Sequence, residues 1–436
     1  MIHDIATKLN IHLNGMQLAS VKALTQTNHD VVILSPTGTG KTLAYLLPLA
    51  EKLQADDSLQ AVVLVPGREL ALQSFNVWKK MGTGLRAAVC YGGRPTIDEH
   101  LQLRKIKPQI VFATPGRLKD HLDKGNLDTY HVKWLVIDEF DKCLQMGFSH
   151  EMEGVISLLP RRVRRVLLSA TDMEEIPQYV DIQSLERLDF LNANKEVADR
   201  VRNFIINSQS KDKLDVLAKL LCCLANESSI VFLNYRDAVE RVVDFLKDRG
   251  FSAIAYHGGL DQRQREEALY KFANHSVVTL VSTDLGSRGL DIPEVRDIIH
   301  YHLPEGKEEM IHRVGRTARW DADGRSFFIL GPEETLPEYV TLQTENFELP
   351  QKLPLPSPPK MTTLYIGKGK KNKISKGDIV GFLCKTCSLP FSDLGRIDVY
   401  DRYSYVAIKR EKAPEILKMS QIAKIKGIHT KVEVIR

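Results

Sequence analysis

Ser35-Pro36-Thr37-Gly38-Thr39-Gly40-Lys41-Thr42 follows directly on the apolar run Val31-Val32-Ile33-Leu34. An apolar strand entering a glycine-rich turn that ends in Lys-Thr is the arrangement of a phosphate cradle. Glycines let backbone N–H groups point at an anion, the lysine reaches terminal phosphates, and the threonine hydroxyl ligates Mg2+. Thr37, Gly38, Thr39, Gly40, Lys41 and Thr42 are therefore candidate nucleotide-binding residues, with Thr42 also a candidate metal ligand. Ser35 stands where the strict pattern has glycine. The chemistry to seek elsewhere in the chain is nucleoside-triphosphate hydrolysis.

Working outward, short apolar runs recur at Ala61–Val65, Ala87–Cys90, Ile110–Ala113, Trp134–Ile137 and Val166–Leu168, separated by helix-compatible segments. This is βαβ alternation, and runs this apolar suit parallel strands buried on both faces. Pro36, Pro66, Gly92, Thr114, Asp138 and Ser169 stand at the ends of these runs, where open α/β sheets bind ligands. The pattern restarts with Phe204–Ile206, Ile230–Leu233, Ala253–Ala255, Thr279–Val281, Ile298–Tyr301 and Phe327–Leu330. Two tandem α/β domains are expected, over 1–193 and 194–347, joined near Asn192–Asp199. The second has no Gly-Lys-Thr turn. Five prolines within Leu349–Lys360 favour an extended spacer over 348–361, ahead of a small third domain at 362–436.

A phosphate cradle calls for an acidic strand end, and Leu135-Val136-Ile137-Asp138-Glu139 supplies one. Asp138 is placed to hold Mg2+ and Glu139 to polarise the attacking water as general base. In His312-Arg313-Val314-Gly315-Arg316-Thr317-Ala318-Arg319, a helical start would set His312, Arg316 and Arg319 on one face, where two arginines stabilise charge on a transferring phosphoryl group. They lie in the second α/β domain and the cradle in the first, so the catalytic set is expected to be complete only on domain closure.

Composition narrows the partners. No apolar stretch approaches ~20 residues, so no membrane span is expected. The opening Met-Ile-His-Asp-Ile-Ala has no basic region followed by an apolar core, so an export leader is not expected and a cytoplasmic location is. Cys384 and Cys387 form one CxxC, with no second pair to complete a zinc site. Net charge is +5, but from Lys360 onward 17 basic residues face 7 acidic ones, while residues 1–359 hold 43 basic and 48 acidic. A cationic tail on a mildly acidic body points to a polyanion partner.

Residues 10–335 as a whole resemble the DEAD-box RNA helicases of superfamily two. The motifs occur in order: Gln17; Ser35–Thr42; Pro66-Gly67-Arg68-Glu69-Leu70; Gly92-Gly93; Thr114-Pro115-Gly116-Arg117; Asp138-Glu139-Phe140-Asp141; Ser169-Ala170-Thr171; Gln262 to Arg265; Thr283-Asp284 through Arg288-Gly289-Leu290-Asp291; and His312–Arg319. The resemblance implies two RecA-like domains and ATP with Mg2+ as nucleotide and metal. It implies that Gln17 reads the adenine edge and Asp291 approaches the ribose. Arg316 and Arg319 would be arginine fingers, and Ser169 and Thr171 would couple hydrolysis to strand separation. Arg68, Gly93, Thr114 and Arg117 from the first domain, with His257, Gly258 and Thr283 from the second, would hold the RNA backbone without reading bases. Departures are Phe140 for a usual Ala, Ala318 for a Gly, Gly67 for a Thr, His302 and Met310 for Asp and Tyr, and no aromatic ahead of Gln17.

In the third domain Tyr403 and Tyr405 share one face of a strand at period two, with Lys368, Lys370, Lys371 and Lys373 upstream and Arg402 beside them. Aromatics on a sheet face stack on unpaired bases and the flanking cations attract phosphates. The segments at Tyr365–Lys368, Lys376–Gly381 and Gly395–Tyr403 resemble the C-terminal RRM-like domain of DbpA-type DEAD-box proteins. That resemblance implies anchoring on large-subunit, 23S-type ribosomal RNA in pre-ribosomal particles, by a monomer. Two alternatives stay open: a general RNA remodeller with a non-specific basic anchor, and an ATP-gated RNA clamp with little turnover.

Overall fold

The computed structural model describes residues 1–36, 38–93, 96–172, 175–191, 201–225, 227–284, 295–317, 324–340, 343–351, 356–421 and 423–435. They form two compact units, the first within 1–199 and the second from 200 onward.

The first unit holds one sheet: β1 (Asp30–Leu34), β2 (Ala61–Leu64), β3 (Ala87–Cys90), β4 (Ile110–Ala113), β5 (Trp134–Ile137), β6 (Arg164–Ser169) and β7 (Leu185–Asp189), in the order β3-β4-β2-β5-β6-β1-β7. Every pairing is parallel. The apolar runs do what their composition requires. Val31, Ile33, Val63, Phe112, Val136 and Leu168 pack into one apolar cluster, whereas Val32, Leu34, Val62, Val111, Leu135 and Leu167 pack into another. Alternate residues of a strand point to opposite faces, so each strand feeds two helix-covered cores.

The second unit contains β8 (Val201–Asn207), β9 (Ser229–Leu233), β10 (Ala253–Tyr256), β11 (Thr279–Thr283), β12 (Asp297–His300), β13 (Gly324–Leu330) and β14 (Thr344–Asn346), in the order β10-β11-β9-β12-β13-β8-β14, again all parallel. The same unit carries a four-stranded antiparallel sheet of β15 (Met361–Ile366), β16 (Leu394–Val399), β17 (Ser404–Lys409) and β18 (Val432–Val434), ordered β16-β17-β15-β18. Helical turns fill the β15–β16 connection and the helix Ala413–Ser420 the β17–β18 connection. This βαββαβ order is that of an RRM-like domain. The fold is therefore two RecA-like α/β domains followed by a small α+β domain.

Candidate functional site

The nucleotide-binding candidates gather at the carboxyl ends of β1, β5 and β6, which are neighbours in the sheet. Gly38 and Gly40 adopt φ of 84° and 86°, which L side chains rarely reach. Gly40 is also the N-cap of the helix Lys41–Lys52, so the cradle's N–H groups and the helix dipole face the same way. Lys41 is buried, and its Nζ donates to the Ser35 and Pro36 carbonyls at 2.6 and 2.9 Å. Desolvation lowers the Lys41 ammonium to about 8, against the attraction of Asp138 and Glu139. The two carbonyls are weak partners for a buried cation, and phosphate oxygens are stronger ones.

Asp138 is 2% exposed. Burial, followed by the Glu139 carboxylate beside it, pushes its carboxyl up to about 6. Its Oδ1 accepts from the Glu139 N–H at 2.9 Å. A carboxylate this poorly solvated gains most from a cation, so Asp138 and Thr42 fit a divalent metal. Glu139 sits in the left-handed region at φ 52°, which turns the chain sharply out of β5, and its Oε2 lies 2.9 Å from the buried Lys142 Nζ. Gln17 does two jobs. Its Oε1 and backbone N–H complete a capping box with Asn14, and its Nε2 donates to Gly40 O at 3.2 Å.

The segment Ser169–Thr171 is tied to the acidic strand end. Thr171 Oγ1 donates to Asp141 Oδ2 at 3.0 Å, and Ser169 Oγ donates to Thr171 O at 2.6 Å. These two bonds link the acidic segment after β5 to the end of β6.

Arg68, Gly93, Thr114 and Arg117 cluster at the ends of β2, β3 and β4, on the other side of the same sheet edge. A Cβ at Gly93 (φ 91°) would lie 2.6 Å from Arg68 Nη1, so the Arg68 guanidinium packs on bare backbone there. In the second unit His257 is held between Glu240 Oε1 at 2.6 Å and the Gly259 N–H at 3.1 Å. Arg265 donates to Gly258 O at 2.8 Å, and Thr283 closes β11.

The helix carrying His312 runs Lys307–Val314 and stops at Gly315. Arg316 therefore lies past the helix end, in a turn closed by Arg316 N–H to Arg313 O at 3.1 Å, and not on the helical face with His312 that its spacing suggested. His312 and Arg316 are both buried. The residue between them, without a role in the sequence reading, is the hub of this region. Arg313 is 1% exposed, pairs with both Asp284 oxygens, and donates to Asn234 Oδ1 at 2.9 Å and His302 O at 2.7 Å. Thr37, Asp291 and Arg319 lie outside the described residues.

The third domain corrects one expectation. Tyr403 and Tyr405 do share a face with Tyr365 and Tyr400, but that face is partly covered, with Tyr405 buried and the other three half-buried. Tyr405 is 0% exposed and packs on Tyr270 of the helix Gln262–Ala273, with ring centroids 5.2 Å apart. Tyr403 donates to Glu266 Oε2 at 3.0 Å, and the Arg263 guanidinium lies 5.6 Å from the ring centres of both Tyr365 and Tyr403. Tyr270 donates to Arg396 O, and Asn274 Nδ2 to Thr363 Oγ1 at 3.0 Å. The tyrosines dock the domain on its neighbour; they do not form an open stacking platform. Lys370, Lys371, Lys373 and Arg402 remain exposed on two adjoining loops, joined by Lys370 N–H to Tyr400 O at 2.8 Å.

Family models match in the same order as these domains: the DEAD/DEAH box helicase over 14–178, the helicase conserved C-terminal domain over 212–321 and the DbpA RNA binding domain over 363–434. The ATP-dependent RNA helicase DbpA of Escherichia coli is 33% identical over 438 residues, covering 97% of this chain and 94% of the relative. The chain belongs to the DEAD-box ATP-dependent RNA helicases of the DbpA type. The DbpA helicase of Bacillus subtilis is 32% identical over 92% of this chain and 91% of its own. Among solved structures, Mss116p bound to ssRNA and AMP-PNP matches with a TM-score of 0.71 and 26% identity, over 80% of this chain and 77% of that one. As a member of this family the chain is an RNA-dependent ATPase, and among its described residues no helix is long and apolar enough to cross a membrane.

Proposed function

We propose that this DEAD-box helicase unwinds short RNA duplexes locally while its C-terminal domain holds structured RNA, with large-subunit ribosomal RNA in assembling particles as the substrate and a cytoplasmic monomer as the working form. The observation that carries the reading is the attachment of a basic RRM-like domain to the helicase pair within this one chain, matched by the DbpA RNA binding domain over 363–434. The exposed Lys370 and Arg402, with Lys368 beside them, are the cations we assign to that RNA; Tyr405 is not among them.

In the ATP site Lys41 exchanges two carbonyl partners for phosphate oxygens, and Gly38, Thr39 and Gly40 present backbone N–H groups. Gln17, already bonded to Gly40 O, reports adenine to the cradle; its Nε2 keeps a second hydrogen. Mg2+, when bound by Thr42 and Asp138, supplies charge neutralisation of the phosphates. Glu139 orients and deprotonates the attacking water, and Arg316 and Arg319, with His312, stabilise the charge that develops on phosphoryl transfer. Asp291 is assigned the ribose. Ser169 and Thr171, through Asp141, transmit the state of the acidic segment. Arg68, Gly93, Thr114 and Arg117 grip phosphate and sugar in the first domain, and His257, Gly258 and Thr283 in the second. The domains are assigned as 1–193, 194–347 and 362–436.

The test is Glu139→Gln. Turnover should fall at least about 100-fold while binding of ATP and RNA persists. Unchanged unwinding by the variant would remove Glu139 from the hydrolytic step.

A further inference from the structure

Beneath the RNA-facing edge of the first domain lies a buried polar cluster to which no role has been given. Glu99, in the helix Thr96–Ile106, and His121, in the helix Pro115–Asp123, are 6% and 0% exposed. His121 Nδ1 lies 3.0 Å from Asn126 Nδ2, and an amide nitrogen only donates, so Nδ1 accepts and Nε2 carries the proton. His121 Nε2 then donates to Glu99 Oε2 at 3.0 Å. The same Oε2 lies 3.2 Å from Arg117 Nε. Glu99 Oε1 accepts from the Tyr91 N–H at 3.4 Å, and Arg117 Nε also approaches Tyr91 O at 3.3 Å.

The chain of bonds thus runs from Asn126 through His121 and Glu99 to Arg117, with Tyr91 locked at both its backbone groups. Tyr91 immediately precedes Gly92-Gly93, and Arg117 is one turn before His121 on a single helix face. Two elements that grip RNA, the glycine pair and Arg117, are therefore set in register by one carboxylate. With Nε engaged, the guanidinium's rotation about its last bond is fixed, which decides where its Nη groups point.

Cys90, Glu99 and His121 also place their ligand atoms within 4.8 Å of one another. The geometry argues against a metal there. Glu99 and His121 are bonded to each other, and the Arg117 cation occupies the position next to the carboxylate.

We propose that Glu99 is a positioning residue for RNA: supported by His121 and Asn126, it orients Arg117 and fixes the Gly92-Gly93 loop to it. The inference rests on the reading that Arg117 grips RNA. It makes Glu99, a buried residue that touches no RNA, a determinant of RNA affinity.

The experiment is a double-mutant cycle of Glu99→Gln and Arg117→Met in the full chain, read as RNA half-saturation of the ATPase and as the salt dependence of single-stranded RNA binding. Glu99→Gln keeps the side chain's shape and loses its charge. It should raise the half-saturating RNA concentration by about tenfold at an unchanged rate with saturating RNA. The slope of log affinity against log salt should flatten by about 0.7, the loss of one phosphate contact. The double variant should match Arg117→Met alone, because Glu99 acts through that arginine. His121→Gln, which keeps a donor towards Glu99, should fall between Glu99→Gln and the parent protein. Additive effects, or an unchanged salt slope in Glu99→Gln, overturn the positioning role. A weakened Arg117→Met beside an unaffected Glu99→Gln overturns the inference alone, whereas an unaffected Arg117→Met overturns the assignment of Arg117 to RNA.

Discussion

Asp138→Asn should make the protein inactive and more stable. The Asp138 carboxyl titrates at about 6 instead of the ordinary 3.8, with burial the main cause and Glu139 the second. A group whose folded value is raised stabilises the fold fully when protonated, below about 4, and that stability is lost as pH rises through about 6. The displacement is worth about 3 kcal/mol against folding at neutral pH. The residue is 2% exposed, so water does little to screen the effect. Lys41 loses an attractive neighbour in the same variant, which trims the net gain to about 1–2 kcal/mol, or about 3–6 °C in the melting temperature of a domain this size. The assay is thermal unfolding of both proteins without nucleotide or metal, from pH 4 upward. The difference should grow between about pH 4 and 6 and level off there, before Lys41, lowered to about 8 and losing Asp138 in the variant, begins to titrate. Millimolar Mg2+ with nucleotide should raise the parent protein's melting temperature more than the variant's. A variant less stable than the parent at pH 7.5, or a difference independent of pH, would refute the reasoning.

Gly40→Ala puts a methyl group against Gln17 Nε2 at φ +86°. The left-handed backbone costs about 1–2 kcal/mol and the lost Gln17 bond about 1 more, so ATP affinity by equilibrium titration should fall at least tenfold. Thr171→Val keeps the shape of the side chain and removes its bond to Asp141; strand displacement should drop severalfold more than RNA-stimulated ATPase, and equal losses would count against a coupling role. Glu266→Ala takes the partner from Tyr403, so amide exchange in β17 should quicken severalfold, whereas unchanged protection would mean the tyrosine face is held by other contacts.

The cradle was legible because its signal is local: glycines at positive φ, a lysine and a hydroxyl follow one strand within eight residues. The two parallel sheets were legible because buried strands have no polar face, so their apolar runs stand out. β7 and β14 escaped that test. They are sheet-edge strands, β7 alternating exposed and half-buried residues and β14 ending in exposed ones. The start of the motif at His312 is helical, but Gly315 inside the motif ends the helix, so Arg316 leaves the face that the spacing of a continued helix would give it. The tyrosine face was found, but what covers it was not. Tyr270 lies in a helix of mostly charged and polar residues, and only tertiary packing brings it onto Tyr405. Glu99 and His121 are separated by 22 residues and by β4, so no spacing rule pairs them. Sequence patterns reveal what one element needs; they are silent on which elements meet.

The central claim, a helicase motor tethered by its C-terminal domain to structured RNA, is tested most directly by the ATPase rate of the full chain without RNA, with an unstructured homopolymer and with a fragment of large-subunit ribosomal RNA. The account predicts strong stimulation by the ribosomal fragment at concentrations where the homopolymer does little. Equal stimulation by both RNAs would contradict the specific tether, and no stimulation by either would contradict the motor itself.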